Sequence, residues 1–297
     1  MISKLAVIGT GLIGGSLALA LKRAGVVQTV VGIGRSQQNL DTAQRLGIAD
    51  RTVTLDGNWT DELADADLVL LATPVGQMAH LFSTMSPHLG RTTIITDAGS
   101  TKQDVIAAAR AHLGSAIARF VPGHPIAGSE RSGADAASAR LFHDKVVVLT
   151  PLAETDAEAL SSVRACWQQC GAIIRVLDAK RHDEIFSAVS HLPHTLAFAL
   201  IADLAERQDA RELFDFAGAG LRDFSRLAGS HPEMWRDICL ANAVALRRDL
   251  ADYRQKLDRI DALLASGDAT GLTSLFTAAH DARIAWIASV SVVDSGK

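Results

Sequence analysis

The stretch Leu5-Ala6-Val7-Ile8-Gly9-Thr10-Gly11-Leu12-Ile13-Gly14 decides the fold. A short apolar run ends at a glycine, and two more glycines follow at the spacing of a phosphate-cradling turn. The first glycine lets the chain turn tightly. The second lets backbone approach a pyrophosphate, and the third lets the following helix pack on the strand. Backbone N–H groups at the helix start, around Leu12 and Ile13, then face an anion. The turn follows a strand and opens a helix at about Gly14–Ala24, so it reads as a dinucleotide site rather than a chance glycine cluster.

Outward from there, strand and helix patterns alternate. Val26–Ile33 is β-branched, Asp41–Leu46 is helical, and Asp67–Ala72 is a buried strand stopping at Thr73-Pro74. Thr93–Thr96 is the next strand, after which Asp97-Ala98-Gly99-Ser100 opens a helix near Lys102. Phe120-Val121 leads into a loop carrying His124, and Lys145–Leu149 and Ile173–Leu177 complete the strands. Continuous apolar strands between helices indicate an α/β, Rossmann-type, doubly wound parallel sheet covered on both faces.

After Leu177 long helical periods take over, predicting an all-α second domain. The expected domains are 1–177 and 178–297. Asp178–Glu206 reads as one helix kinked at Pro193, whose missing N–H interrupts the ladder. Leu246, Leu250, Tyr253, Leu257, Ile260 and Leu264 recur at spacings of four, three, four, three and four. That stripe suits packing within the domain or a dimer seam equally. Asp294-Ser295-Gly296-Lys297 reads as a loose tail.

Bulk properties narrow the class. The chain has 297 residues, 48% apolar and 21% charged, with a net charge of −4 and no basic block, which argues against nucleic acid as a partner. Cys166, Cys170 and Cys239 are too few for a disulfide framework, and the first two read as helix cysteines in a reducing cytoplasm. Leu5–Leu21 imitates a signal peptide, but its glycines make a strand–turn–helix and only Lys4 precedes it, so secretion is not expected. No membrane span is expected either.

Cofactor choice depends on the end of the second strand, about 20 residues on, where NAD enzymes usually place an acid for the ribose 2′-hydroxyl. Here stand Gly34-Arg35-Ser36, with no acid before Asp41. Arg35 and Ser36 can bind a 2′-phosphate, so NADP is favoured and NAD is the other choice. Thr73 and Pro74 end a strand at the carboxyl edge of the sheet, where they border the dinucleotide.

His124-Pro125-Ile126-Ala127-Gly128-Ser129-Glu130 puts an imidazole, a hydroxyl and a carboxylate within seven residues. A histidine at a strand end is often only structural, but Ser100 opens the neighbouring helix and can reach the same crevice. With Gly9–Ser16, Asp97–Lys102, Ser190-His191-Leu192-Pro193-His194, Gly220–Arg226 and Met234-Trp235, this segment makes the chain resemble the prephenate/arogenate dehydrogenase family of tyrosine biosynthesis. The elements occur in family order across almost the whole chain.

The resemblance implies oxidative decarboxylation of a cyclohexadienol acid with hydride passed to NAD(P)+. It implies His124 as acceptor of the 4-hydroxyl proton, neutral when it acts, and Ser100 as the serine orienting this region beside the nicotinamide. Arg226 matches the carboxylate-binding arginine. Ser190 and His194 match the residues at the substrate's other end. Asp223 is expected to orient Arg226 or nearby backbone, and Trp235 closes the pocket or serves as core. Ser129 and Glu130 are candidates for telling the pyruvyl side chain of prephenate from the cationic one of arogenate. The family is usually a homodimer through its helical domain, and nothing in its chemistry requires a metal.

Two alternatives are weaker. A β-hydroxyacid dehydrogenase of similar layout needs a lysine on the first long helix of the second half, which offers only Lys180 at its start. A non-catalytic nucleotide sensor should lack His124 or Arg226, and both are present.

Overall fold

The computed structural model describes residues 1–128 and 131–295. The chain divides into two compact units, Met1–Leu246 and Arg247–Lys297. In the first, β1 (Ile2–Ile8), β2 (Val27–Gly34), β3 (Arg51–Thr54), β4 (Leu68–Leu71), β5 (Ile94–Asp97) and β6 (Phe120–Val121) form one sheet. Its order is β3-β2-β1-β4-β5-β6 and every pairing is parallel. The order reverses between β1 and β4, and their carboxyl ends make the crevice where ligands of such sheets bind.

Strand periodicity divides the core. Leu5 and Val7 face a cluster with Leu17 and Leu21 of α1 (Leu12–Arg23) and Val163 and Trp167 of α5 (Ala157–Gln169). Ala6 and Ile8 face the opposite cluster, with Phe82 of α3 (Met78–Met85) and Val105 of α4 (Gln103–His112). Both faces of β1 are therefore dry, as the unbroken apolar run requires. α2 (Gln37–Arg45) follows β2.

Three expectations need correction. β3 was not foreseen; Arg51-Thr52-Val53-Thr54 is a short, partly exposed edge strand without an apolar run. His124 lies not on a loop but within β7 (Gly123–Pro125), which pairs antiparallel with β8 (Val146–Leu149) in a second sheet completed by β9 (Ile173–Val176). Among the described residues β7 is the edge of this sheet, where Pro125 is tolerated. Finally, α12 (Ala269–Ser295) continues as helix through Asp294 and Ser295, where a loose tail was expected.

The helices after β9 are α6 (Ala179–Phe186), a π-turn at Ser187–His191, α7 (Leu192–Glu206), α8 (Ala210–Asp215), α9 (Ala219–Ser225), α10 (Pro232–Ala241) and α11 (Ala243–Ala265). The interruption expected at Pro193 takes the form of that π-turn, just ahead of the residue that cannot donate. Ala179–Glu206 is also long and apolar enough, by length and composition, to cross a membrane. A core helix of a globular protein passes the same test, and this run buries His182, Asp183 and His191 against the rest of its unit. All three cysteines are free, and burial pushes the Cys166 thiol up to about 11.

On α11, Leu246 is buried, but Tyr253, Leu257 and Leu264 are exposed, the last 62%. Taken by itself, α12 exposes Phe276, Ile284 and Trp286. Exposed apolar residues spread along two long helices are what a subunit interface leaves in an isolated chain.

Candidate active site

The glycine turn has the mechanics its spacing suggested. Gly9 has φ +102°, and a Cβ there would lie 2.5 Å from the Ala72 carbonyl oxygen. A Cβ on Gly14 would lie 2.1 Å from the Gly9 carbonyl oxygen, so helix and turn could not close. Gly11, in contrast, has open space beside it. No side chain caps α1, which starts at Leu12 directly after Gly11. Thr73, at the end of β4, buries an Oγ1 without a hydrogen-bond partner among the described residues. An open glycine, uncapped amides and an unsatisfied hydroxyl at the switch point fit a dinucleotide.

Asn39 anchors this turn. Its Nδ2 donates to Thr10 Oγ1 at 3.1 Å, while its Oδ1 accepts the Ala134 N–H at 2.8 Å, tying the turn to the segment beyond β7. At the end of β2, Arg35 is exposed. Ser36 caps α2 by accepting the Asn39 N–H at 3.3 Å, a structural task the sequence reading had not assigned. Ser36 also lines an open cavity of about 360 Å³ with Arg45. Pro74 is half-buried beside Thr73.

A cavity of about 340 Å³ opens onto the glycine turn. Gly11, Leu12 and Ile13 line one side, and Ser100 and His124 line the other. Ser230, His231 and Met234, at the start of α10, close a third side. The sequence reading quoted Met234 within a motif without giving it a role and missed Ser230 and His231, although Ser230-His231-Pro232 has the composition of a helix start. Cofactor turn, Ser100 and His124 thus meet in one place.

His124 is half-buried. Its Nδ1 lies 2.9 Å from His182 Nε2, and its ring meets Phe186 edge-on at 4.8 Å. His182 Nδ1 lies 2.8 Å from Asp183 Oδ1. Beneath, Lys102 and Asp97 form a fully buried ion pair at 2.5 Å. Asp97 also accepts the Gly99 and Gly123 N–H groups, which holds the Ser100 turn against β7. Burial first, then the neighbouring His182 and the Lys102 charge, hold the His124 pKa well below the ordinary imidazole value of 6.5. His124 is therefore neutral at physiological pH.

A second cluster forms on the helices. His194 donates from Nδ1 to the Ser190 carbonyl at 2.9 Å and stacks on Trp235 at 3.7 Å. Trp235 is buried in the same chain's core, with Nε1 unpartnered among the described residues. Burial lowers the His194 pKa, the Ser190 bond opposes this, and the Arg226 charge lowers it further. Arg226 is thus an electrostatic neighbour of His194. Asp223 is exposed on α9. None of Ser190, His194 and Arg226 is among the described lining of the 340 Å³ cavity. Ser129 and Glu130 lie outside the described residues.

A switch-point nucleotide cradle beside a neutral histidine, followed by a helical half, defines a nicotinamide-dependent dehydrogenase. Family comparison makes the assignment specific. Residues 17–176 match the prephenate dehydrogenase nucleotide-binding domain, and residues 178–278 match the prephenate dehydrogenase dimerization domain. The chain is 37% identical to the cyclohexadienyl dehydrogenase of Zymomonas mobilis, over 95% of each chain. The solved prephenate dehydrogenase from A. aeolicus, in complex with hydroxyphenyl propionate and NAD+, superposes with a TM-score of 0.89 at 32% identity, covering 96% of this chain and 98% of that one. Synechocystis arogenate dehydrogenase superposes with a TM-score of 0.78 at 31% identity, covering 95% and 99%. The chain belongs to the prephenate dehydrogenase family.

Proposed function

We propose that this enzyme oxidatively decarboxylates prephenate, arogenate or both in tyrosine biosynthesis, with His124 accepting the proton of the 4-hydroxyl. The neutral His124 beside the glycine cradle carries this reading. When bound, the nicotinamide supplies the acceptor for the hydride leaving C4, and loss of the ring carboxylate as carbon dioxide aromatises the ring. His124 takes the hydroxyl proton on Nε2, since Nδ1 is engaged by His182. Ser100 orients the reacting region, and Arg226 binds a substrate carboxylate through its guanidinium fork. Ser190 and His194 hold the far end, with Trp235 fixing the His194 ring and Asp223 supporting Arg226.

The cofactor would be held by Gly9, Gly11, Leu12, Ile13 and Gly14, bordered by Thr73 and Pro74. We favour NADP over NAD because Arg35 and Ser36, with no acid, follow β2, although the A. aeolicus relative is solved with NAD+. Residues 1–177 then act as the cofactor domain, and 178–297 supply substrate contacts and a homodimer interface through the exposed faces of α11 and α12. The enzyme is read as cytoplasmic.

An initial-rate matrix of two substrates and two cofactors, following reduced nicotinamide, tests the reading. The highest kcat/KM is expected with NADP+. Equal or better use of NAD+ would refute the assigned role of Arg35 and Ser36, and no turnover of either acid would refute the function. Repeating the matrix with Glu130→Gln should lower the arogenate-to-prephenate preference. An unchanged ratio would remove Glu130 from specificity.

A further inference from the structure

We propose that His182 and Asp183 are positioning residues which fix the tautomer of His124, and that His182 is the transient store for the proton His124 collects. The second part rests on the reaction proposed above; the first does not. Three side chains lie in a row running inward from the cavity: His124 Nδ1 to His182 Nε2 at 2.9 Å, then His182 Nδ1 to Asp183 Oδ1 at 2.8 Å.

The row can be oriented by elimination. Asp183 accepts the N–H of Lys102 at 2.8 Å and that of Gln103 at 2.9 Å. These bonds and His182 keep its pKa below the ordinary carboxylate range despite burial, so it is ionised and can only accept. The His182 Nδ1 must then carry the proton. His182 is itself neutral at rest, because burial outweighs Asp183 and lowers its pKa. A neutral imidazole protonated on Nδ1 offers a lone pair on Nε2, so His124 must donate from its Nδ1. That leaves the His124 Nε2 lone pair facing the cavity as the base.

The array is rigid. His182 is fully buried, and Asn242 Nδ2 donates to the Asp183 carbonyl at 2.7 Å while also lying 3.1 Å from His191 Nδ1. Phe186 packs on both imidazoles. The charges bearing on His124 are Lys102, His182 from α6 and His191 from the π-turn, and those of Asp183 and Asp97 bear on His182.

The proton steps balance without a further reactant. The substrate O–H bond breaks as N–H forms on His124 Nε2. The His124 Nδ1–H bond then breaks as N–H forms on His182 Nε2, leaving the positive charge on His182 beside the Asp183 carboxylate. His182 then returns its proton to His124 Nδ1, and the imidazolium so formed releases its Nε2 proton to cavity water. Lys102 disfavours a positive charge on either imidazole, and the hydrogen bond from His182 to the Asp183 carboxylate offsets this at His182.

Nitrogen NMR of the apo-protein labelled at histidine, above pH 6.5, reads the tautomer without substrate. The expected spectrum has His124 protonated on Nδ1 and unprotonated on Nε2. His182→Leu should mix the tautomers and lower kcat by roughly 100-fold or more, with KM and reduced-cofactor affinity within about threefold. His182→Gln, whose carbonyl can still accept from His124 but cannot take up a proton, should restore the tautomer and recover at least about tenfold of the lost kcat. Nε2-protonated His124 in the unaltered protein would overturn the proposal, as would His182→Leu turning over at the normal rate. Should His182→Leu fail to fold, the wild-type spectrum and the Gln variant still decide. A correct tautomer in a protein that turns over neither acid would refute the proposed reaction and leave the tautomer assignment standing.

Discussion

Replacing His124 by Asn lowers kcat by roughly 10²–10⁴-fold, the range spanned by a positioned acid–base group, and leaves cofactor affinity nearly unchanged. Each factor of ten corresponds to about 1.4 kcal/mol of barrier. The side chain is in the right place, on the wall of the cavity opposite Gly11, Leu12 and Ile13. Its protonation state is also right, because burial and the Lys102 charge keep it neutral. Asparagine preserves an amide able to donate to His182 but offers no basic nitrogen. The cofactor cradle is formed by other residues, so titration of reduced nicotinamide by fluorescence should give nearly the unaltered protein's Kd. A variant that kept full turnover would remove His124 from the chemistry.

The second large effect falls on stability. Lys102 and Asp97 are both fully buried, with Nζ 2.5 Å from Oδ2. Removing one partner of such a pair strands the other charge in a medium of low polarity, which costs about 3–5 kcal/mol. Against a total stability of about 5–15 kcal/mol, Lys102→Met should lower the urea midpoint severely. Adding Asp97→Asn, which is neutral and retains one acceptor for Gly99 or Gly123, should recover part of the loss. Recovery is the informative result, since a packing defect alone would persist in the double variant. Lys102→Met should also move the acidic limb of activity to higher pH. Without that cation, His124 is protonated more easily.

The parallel sheet was legible because β1, β2 and β4 carry apolar runs buried on both faces, and a strand buried on both sides needs no alternation. Edge strands lack that pattern. Arg51-Thr52-Val53-Thr54 passed unnoticed for that reason, and the glycine and prolines around His124 disguised β7 as a loop. The meeting of Ser100, His124 and the glycine turn was legible from motif order, because each follows the carboxyl end of a strand in the crevice of the sheet. His182 and Asp183 were not, since they act across 58 and 81 residues of chain. On the sequence they are two polar residues on an ordinary amphipathic helix. Only the packing of α6 beneath β7 and α4 makes them partners of His124.

The dependence of kcat/KM on pH tests the central claim most directly, because it reports ionisations of the free enzyme. His124 must be neutral to accept a proton, and its pKa is held well below 6.5. Activity should therefore stay on a plateau as pH falls through 6.5 and decline only at lower pH, and the small residual rate of His124→Asn should lack that acidic limb. Half of the activity lost at or above pH 6.5, or the same limb persisting in His124→Asn, would contradict the account.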